Sequence, residues 1–232
     1  MRYLGRGVST ATGALEPLGA AVGASGAPMI EQLIPPGMRS VLGPRMQVGM
    51  VVRDLEVATE FWAQHLGIGP WIAMKSSSAD RRFVHRGAES PVEMELAFSY
   101  AGDTQLEIIA QTNDAPSPYK EFLDEGREGV HHLGFWPEDF EGSCSALRSA
   151  GFEELFALYL PDGSSNVTYY SSPAFIGLVV ELAPMTPFRR KYMTAIEKLA
   201  QSWDGSHPLR RFGSREEFIA SDDFRRVEGE GK

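Results

Sequence analysis

The amino-acid sequence predicts an α+β domain built from two βαβββ modules that together enclose one cleft. Three observations carry this reading: a gapless internal repeat, a change of texture at Met46, and strand-like runs after each of two helical segments. In the repeat, Gln47, Gly49, Asp54 and Glu56 align on His132, Gly134, Asp139 and Glu141 without a gap.

The elements follow in order. Residues 1–45 are rich in Gly, Ala, Ser and Pro, lack helix or strand periodicity, and read as a flexible N-terminal extension. Met46 to Val52 is a compact β-type run. Asp54 is then placed to cap a helix over 55–66, with Val57, Phe61, His65 and Leu66 on one face. Gly67-Ile-Gly-Pro70 stops that helix. Strands are predicted over 71–75, 92–100 and 104–111, the last two joined as a hairpin by Gly102-Asp103. The second module opens at His132, continues through a helix over 139–150, and closes with a strand over 176–182. The modules thus span 46–112 and 129–184, with a linker at 113–128. From 185 to 232 the sequence reads as a C-terminal helix and a polar tail: Phe188, Tyr192, Ile196, Leu199 and Trp203 form an amphipathic stripe, and the residues from about 213 read as frayed.

Composition excludes several function classes. Lys and Arg number 22 against 31 Asp and Glu, giving a net charge of -9 with no dense basic run, so neither nucleic acid nor a membrane surface is an expected partner. No apolar stretch is long enough to span a bilayer. Arg2 and Arg6 precede a Gly/Ala-rich stretch interrupted by Glu16, a poor secretory signal, and the reading is cytoplasmic. The single cysteine, Cys144, excludes an intramolecular disulfide and reads as a buried helix residue.

The repeat also places four polar residues at equivalent positions. Gln47 and His132 open the first strand of each module, while Glu107 and Glu181 are lone carboxylates inside apolar closing strands. Each Glu alone is compatible with a solvent-facing position. The symmetry favours a shared role, because buried carboxylates are costly unless a cation or hydrogen bonds satisfy them. Neighbouring aromatics Phe98, Tyr119, Trp136 and Tyr170 are candidates to line a substrate cleft. His131 is expected on the face opposite His132 if the strand is regular. His65, His85 and His207 have no partner identifiable from sequence.

These features resemble the vicinal oxygen chelate superfamily, which includes glyoxalase I, methylmalonyl-CoA epimerase, extradiol dioxygenases and bleomycin-resistance proteins. The resemblance covers 46–184. Its most specific local match is Ser117-Pro-Tyr-Lys-Glu-Phe-Leu-Asp-Glu-Gly-Arg-Glu-Gly-Val-His-His132, similar to a segment of the epimerases in which the second His is the metal ligand. The resemblance implies a divalent metal (Zn, Ni, Co, Mn or Mg) held by Gln47, Glu107, His132 and Glu181. The epimerases carry His where this chain has Gln47, whereas the order Gln, Glu, His, Glu is that of zinc-type glyoxalase I. The arginine with which glyoxalase I holds glutathione is replaced here by Val51.

A site with one imidazole, one amide and two carboxylates is harder than the two-His, one-carboxylate set of iron oxygenases and suits Lewis-acid work. The implied activity is a metal-dependent isomerase, epimerase or lyase that removes a proton next to the carbonyl of a small organic or thioester substrate. Glu181 is the first candidate base and Glu107 the second. Sequestration of a ligand without turnover and ring-cleaving dioxygenation stay as alternatives. A homodimer is the expected assembly.

Overall fold

The computed structural model describes residues 41–43, 46–78 and 81–229. The expected flexible extension over 1–45 lies almost wholly outside the described residues. Strands β1 (Met46–Val51), β2 (Trp71–Ser77), β3 (Arg82–His85), β4 (Ala88–Glu89), β5 (Glu93–Ala101) and β6 (Thr104–Gln111) precede β7 (Gly129–Phe135), β8 (Glu153–Tyr159), β9 (Ser165–Ser171), β10 (Val179–Leu182) and β11 (Leu209–Phe212). The helices are α1 (Leu55–Leu66), α2 (Pro118–Asp124), α3 (Phe140–Ser149), α4 (Pro187–Gln201), α5 (Arg215–Ala220) and α6 (Asp222–Glu228).

All the strands join one sheet in the order β11-β2-β5-β6-β1-β7-β10-β9-β8-β3-β4. The two repeats meet edge to edge within the chain, β1 running antiparallel to β7. Each repeat is flanked by its own parallel pairing, β1 with β6 and β7 with β10. A local pseudo-twofold axis therefore passes between β1 and β7.

The short-range signals explain most boundaries. The Asp54 carboxylate accepts the Val57 amide at 3.0 Å and starts α1, and Asp139 accepts the Gly142 amide at 2.9 Å to start α3. Gly102, at φ 60, turns the tight β5–β6 hairpin, where a side chain would be strained. Thr186 caps α4 and Pro187 occupies its first turn.

Side chains on the two sheet faces fall into separate clusters. One face of the first half packs Met50, Leu106 and Ile108 against Leu55 and Trp62 of α1. The matching face of the second half packs Tyr170, Val180 and Leu182 against Cys144 and Leu147 of α3. The other face carries residues of both halves in one cluster, including Phe98, Tyr119, Leu158 and Tyr169, so the sheet curls around that interior.

Four features differ from the sequence expectation. The packed face of α1 is Leu55, Thr59 and Ala63, while Val57, Phe61 and Leu66 are exposed, because the i, i+4, i+8 stripe begun by Leu55, with Trp62 beside it, is the one that meets the sheet. The hairpin β3–β4 falls between two expected strands and pairs with β8 at the far edge of the sheet. The linker contains α2, capped by Ser117, whose side chain accepts the Lys120 amide. The region after 213 is not frayed: Phe218 and Phe224 of α5 and α6 are buried in the interior cluster, and β11 adds a strand beside β2. Among the described residues, no helix is long and apolar enough to cross a membrane.

Candidate metal centre

Strand alternation sends Gln47, Glu107, His132 and Glu181 to the interior face. Their outward neighbours, Val48, Leu106, Leu133 and Val180, follow the opposite parity, and Leu106, Val48 and Val180 belong to the helix-packed clusters. All four polar residues are buried. One ligand atom each from Glu107, His132 and Glu181 fits within 4.8 Å of the others. His132 Nε2 lies 3.1 Å from Glu181 Oε2 and 3.4 Å from Glu107 Oε2.

The atoms facing this point lack directed hydrogen bonds. Glu107 Oε2, His132 Nε2 and Gln47 Oε1 are all buried without one. Buried groups of this kind are rare and costly unless something satisfies them. Two carboxylates, an imidazole nitrogen and an amide oxygen form a donor set that a divalent cation would satisfy, so the residues present fit such an ion. The electrostatics point the same way. Burial alone would lower the His132 pKa, but the Glu107 and Glu181 carboxylates outweigh it and raise it to about 9. Burial raises the Glu107 carboxyl, whereas Glu181, equally buried, is drawn below its usual value by His132 and the Tyr169 hydroxyl.

Gln47 is oriented from behind. Gln47 Nε2 donates to Gln105 Oε1 at 2.7 Å, and Gln105 Nε2 donates to the Tyr100 hydroxyl at 2.7 Å. This chain of amides turns Gln47 Oε1 toward the cavity it lines with Glu107 and Glu181. Gln105 is not among the sequence candidates; its place two residues before Glu107, on the same strand face, was the available signal.

His131 departs from the expected geometry. The β1–β7 register passes from Gly49 opposite His132 to Met50 opposite Val130, so His131 is the extra residue of a β-bulge. The bulge removes the strict alternation that would have sent His131 to the other face. Its ring packs among Tyr119, Phe122 and Tyr169, and its Nδ1 lies 3.1 Å from His132 Nδ1. Burial, with His132 beside it, lowers the His131 pKa to about 3, so the ring is neutral. A neutral His131 that donates to the Pro118 carbonyl accepts from His132 Nδ1–H, which turns His132 Nε2 toward the carboxylates; Nε2 carries a proton there and would give it up to bind a cation.

Of the expected cleft aromatics, Phe98, Tyr119 and Trp136 line the cavity. Tyr170 does not. It is buried on the helix-packed face beside Cys144, and its hydroxyl accepts from Arg148 at 3.0 Å. The adjacent Tyr169 has the inward parity, receives the Tyr119 hydroxyl at 3.1 Å and reaches Glu181. Cys144 is buried, and burial raises its thiol pKa. His85 acquires partners: its ring nitrogens lie 3.1 Å from the Leu155 carbonyl and 3.0 Å from Glu121, which also pairs with Arg86. His65 packs on Phe61.

Comparison with known proteins adds a match over residues 46–169 to the family model described as the Glyoxalase/Bleomycin resistance protein/Dioxygenase superfamily. Among solved structures, a methylmalonyl-CoA epimerase from Mycobacterium tuberculosis is 22% identical, with a TM-score of 0.45 over 65% of this chain and 93% of that one. A Streptomyces coelicolor methylmalonyl-CoA epimerase, in complex with 2-nitronate-propionyl-CoA, is 19% identical, with a TM-score of 0.42 over 63% and 96%. A hypothetical protein from Bacillus halodurans is 15% identical, with a TM-score of 0.43 over 60% and 92%. No curated protein matches the chain.

Proposed function

The chain belongs to the glyoxalase/bleomycin resistance protein/dioxygenase superfamily, and on that premise we propose that it is a metal-dependent isomerase, epimerase or lyase acting on the carbon beside a carbonyl. The observation that carries this reading is the buried Glu107–His132–Glu181 group, whose ligand atoms converge while Glu107 Oε2 and His132 Nε2 lack directed hydrogen bonds.

Gln47, Glu107, His132 and Glu181 would hold a divalent ion. When bound, such an ion supplies Lewis acidity at a substrate carbonyl oxygen, which acidifies the adjacent C–H. The chain's own residues supply the proton transfers. Glu181 is the principal base, steadied by the Tyr169 hydroxyl, and Glu107 faces it from the other half of the sheet. Two carboxylates approaching one carbon from different strands suit removal of a proton on one side and its return on the other, which is epimerisation. Return to the neighbouring carbon is isomerisation of the glyoxalase type. Phe98, Tyr119 and Trp136 exclude water from the reacting end.

The test is hydrogen–deuterium exchange at the α-carbon of candidate carbonyl substrates in D2O, with elemental analysis of the purified protein. Expected are bound divalent metal, exchange that stops on chelation, and exchange that is lost in Glu181→Gln. Exchange that survives chelation or Glu181→Gln would sink the reading. A homodimer belongs to the same proposal, supported by the exposed apolar residues Val57, Phe61 and Leu66 of α1, and sedimentation of the chain measures it.

A further inference from the structure

The cavity at Glu107 and Glu181 holds only about 50 Å³, room for one or two waters. The body of any substrate therefore has to lie elsewhere. Arg81, Asn166, Arg189, Tyr192 and Arg215 line this cavity and also a second one of about 510 Å³, which is within the size range of small-molecule sites. The larger space is a vestibule to the smaller.

Its charge is opposite to that of the protein. The chain carries a net -9, yet the vestibule is lined by Lys75, Arg81, Arg189 and Arg215 against a single carboxylate, Glu216. Arg189 is only 7% exposed. It donates to the Asn166 carbonyl at 3.0 Å, to Asn166 Oδ1 at 2.7 Å and to the Pro184 carbonyl. All these acceptors are neutral oxygens, so they fix the guanidinium in place while its charge acts across the small cavity on Glu181. A fixed, poorly solvated charge of this kind acts strongly on an anion nearby.

Tyr192 completes the arrangement. It lines both cavities with Arg189 and Arg215, and the Arg215 guanidinium lies 5.6 Å over its ring. A phenol at this position has an O–H to donate to an anion. Burial opposes ionisation of this phenol, yet Arg215 and Arg189 draw its pKa below the usual value, which makes the O–H a stronger donor. Arg189, Tyr192 and Arg215 all come from the segment after residue 169, where the family match ends. Ala195, Ile196 and Leu199 anchor α4 in the interior, so this segment is a built wall of the cleft.

We propose that the vestibule is an oxyanion-recognition subsite, in which Arg189, Tyr192 and Arg215 bind the carboxylate or phosphate of a small acid. The further statement that the carbonyl end of this acid reaches Glu107, His132 and Glu181 rests on the function proposed above. The C-terminal segment thereby sets substrate class, while the repeated core supplies the chemistry. Two guanidinium groups and a phenol match an oxyanion through charge-assisted hydrogen bonds, whereas a neutral amide brings no charge to them.

Isothermal titration of the full chain, both metal-loaded and metal-stripped, with malonate, inorganic phosphate and uncharged malonamide tests the subsite. Malonate or phosphate is expected to bind the metal-stripped protein, and malonamide to bind at least about tenfold more weakly. The stronger of the two anions identifies the oxyacid. Arg215→Gln is expected to weaken anion binding about tenfold, and Tyr192→Phe by a smaller factor, with metal content unchanged in both. Arg81→Gln, on a different segment, is a second variant should Arg215→Gln fail to fold. Equal binding of malonate and malonamide, unchanged anion affinity in the folded variants, or no anion binding up to about 10 mM would overturn the subsite. A protein that binds anions but no metal would leave the subsite standing and remove the catalytic reading. Metal binding without anion binding would do the reverse.

Discussion

Gly49 lies directly across the β1–β7 pair from His132, and a Cβ on Gly49 would sit 1.9 Å from His132 Cε1. The relation is reciprocal, because Gly134 faces Gln47 and a Cβ there would sit 2.5 Å from Gln47 Oε1. The repeated pattern of a polar residue followed two positions later by glycine therefore has one physical cause. Each glycine vacates the space into which the opposite strand's polar side chain folds.

Gly49→Ala is expected to displace the His132 ring, costing about 1–3 kcal/mol of stability through overpacking, and to lower metal content. Gly134→Ala meets the movable end of a glutamine and is expected to cost less on both counts. Thermal melts and elemental analysis of the two variants decide it, and equal losses would contradict the proposed difference.

His131 acts on His132 without touching the site's centre. His131→Phe keeps the aromatic packing against Tyr119 and Phe122 but removes the acceptor for His132 Nδ1–H. The expected result is a drop in metal affinity of about 10- to 100-fold with little change in melting temperature. His131→Asn, which can still accept a hydrogen bond, is expected to recover part of the affinity. Competitive metal titration measures both.

The two adjacent tyrosines should separate cleanly. Tyr169→Phe removes the hydroxyl that reaches Glu181 and is expected to slow α-carbon exchange. Tyr170→Phe removes a hydroxyl bound to Arg148 on the far face and is expected to leave exchange unchanged. Exchange rates under saturating substrate distinguish them.

Glu121 contributes to acid stability. The Arg86 guanidinium draws its carboxyl below the usual carboxylate value, against the opposing effect of burial and with help from His85. A depressed carboxyl gives stability that is fully present above about 4.5 and is lost as pH falls through the folded value. Glu121→Gln is therefore expected to flatten the acid limb of the stability curve while having less effect on its slope at neutral pH. Urea unfolding across that pH range reads it directly.

Much of the fold and the polar set at its centre were legible in sequence, because both follow from local rules. Period-two alternation assigns Gln47, Glu107, His132 and Glu181 to one face of their strands, and the repeat shows that these faces correspond. The helix cap at Asp54 and the tight turn at Gly102 are likewise written within a few residues. What only the tertiary structure decided depends on contacts between distant segments. The bulge at His131 comes from the pairing of β7 with β1, and it overrides the alternation that local pattern supplies. Tyr169, and not Tyr170, faces Glu181 because the register of β9 on β10 sets the parity. The hairpin β3–β4 finds its partner at the far edge of the sheet, and Phe218 and Phe224 bury themselves in a core whose shape no tail sequence encodes. Arg189, Tyr192 and Arg215 meet over the cleft only because α4 and α5 pack against the sheet. Local periodicity carries no information about such long-range placement.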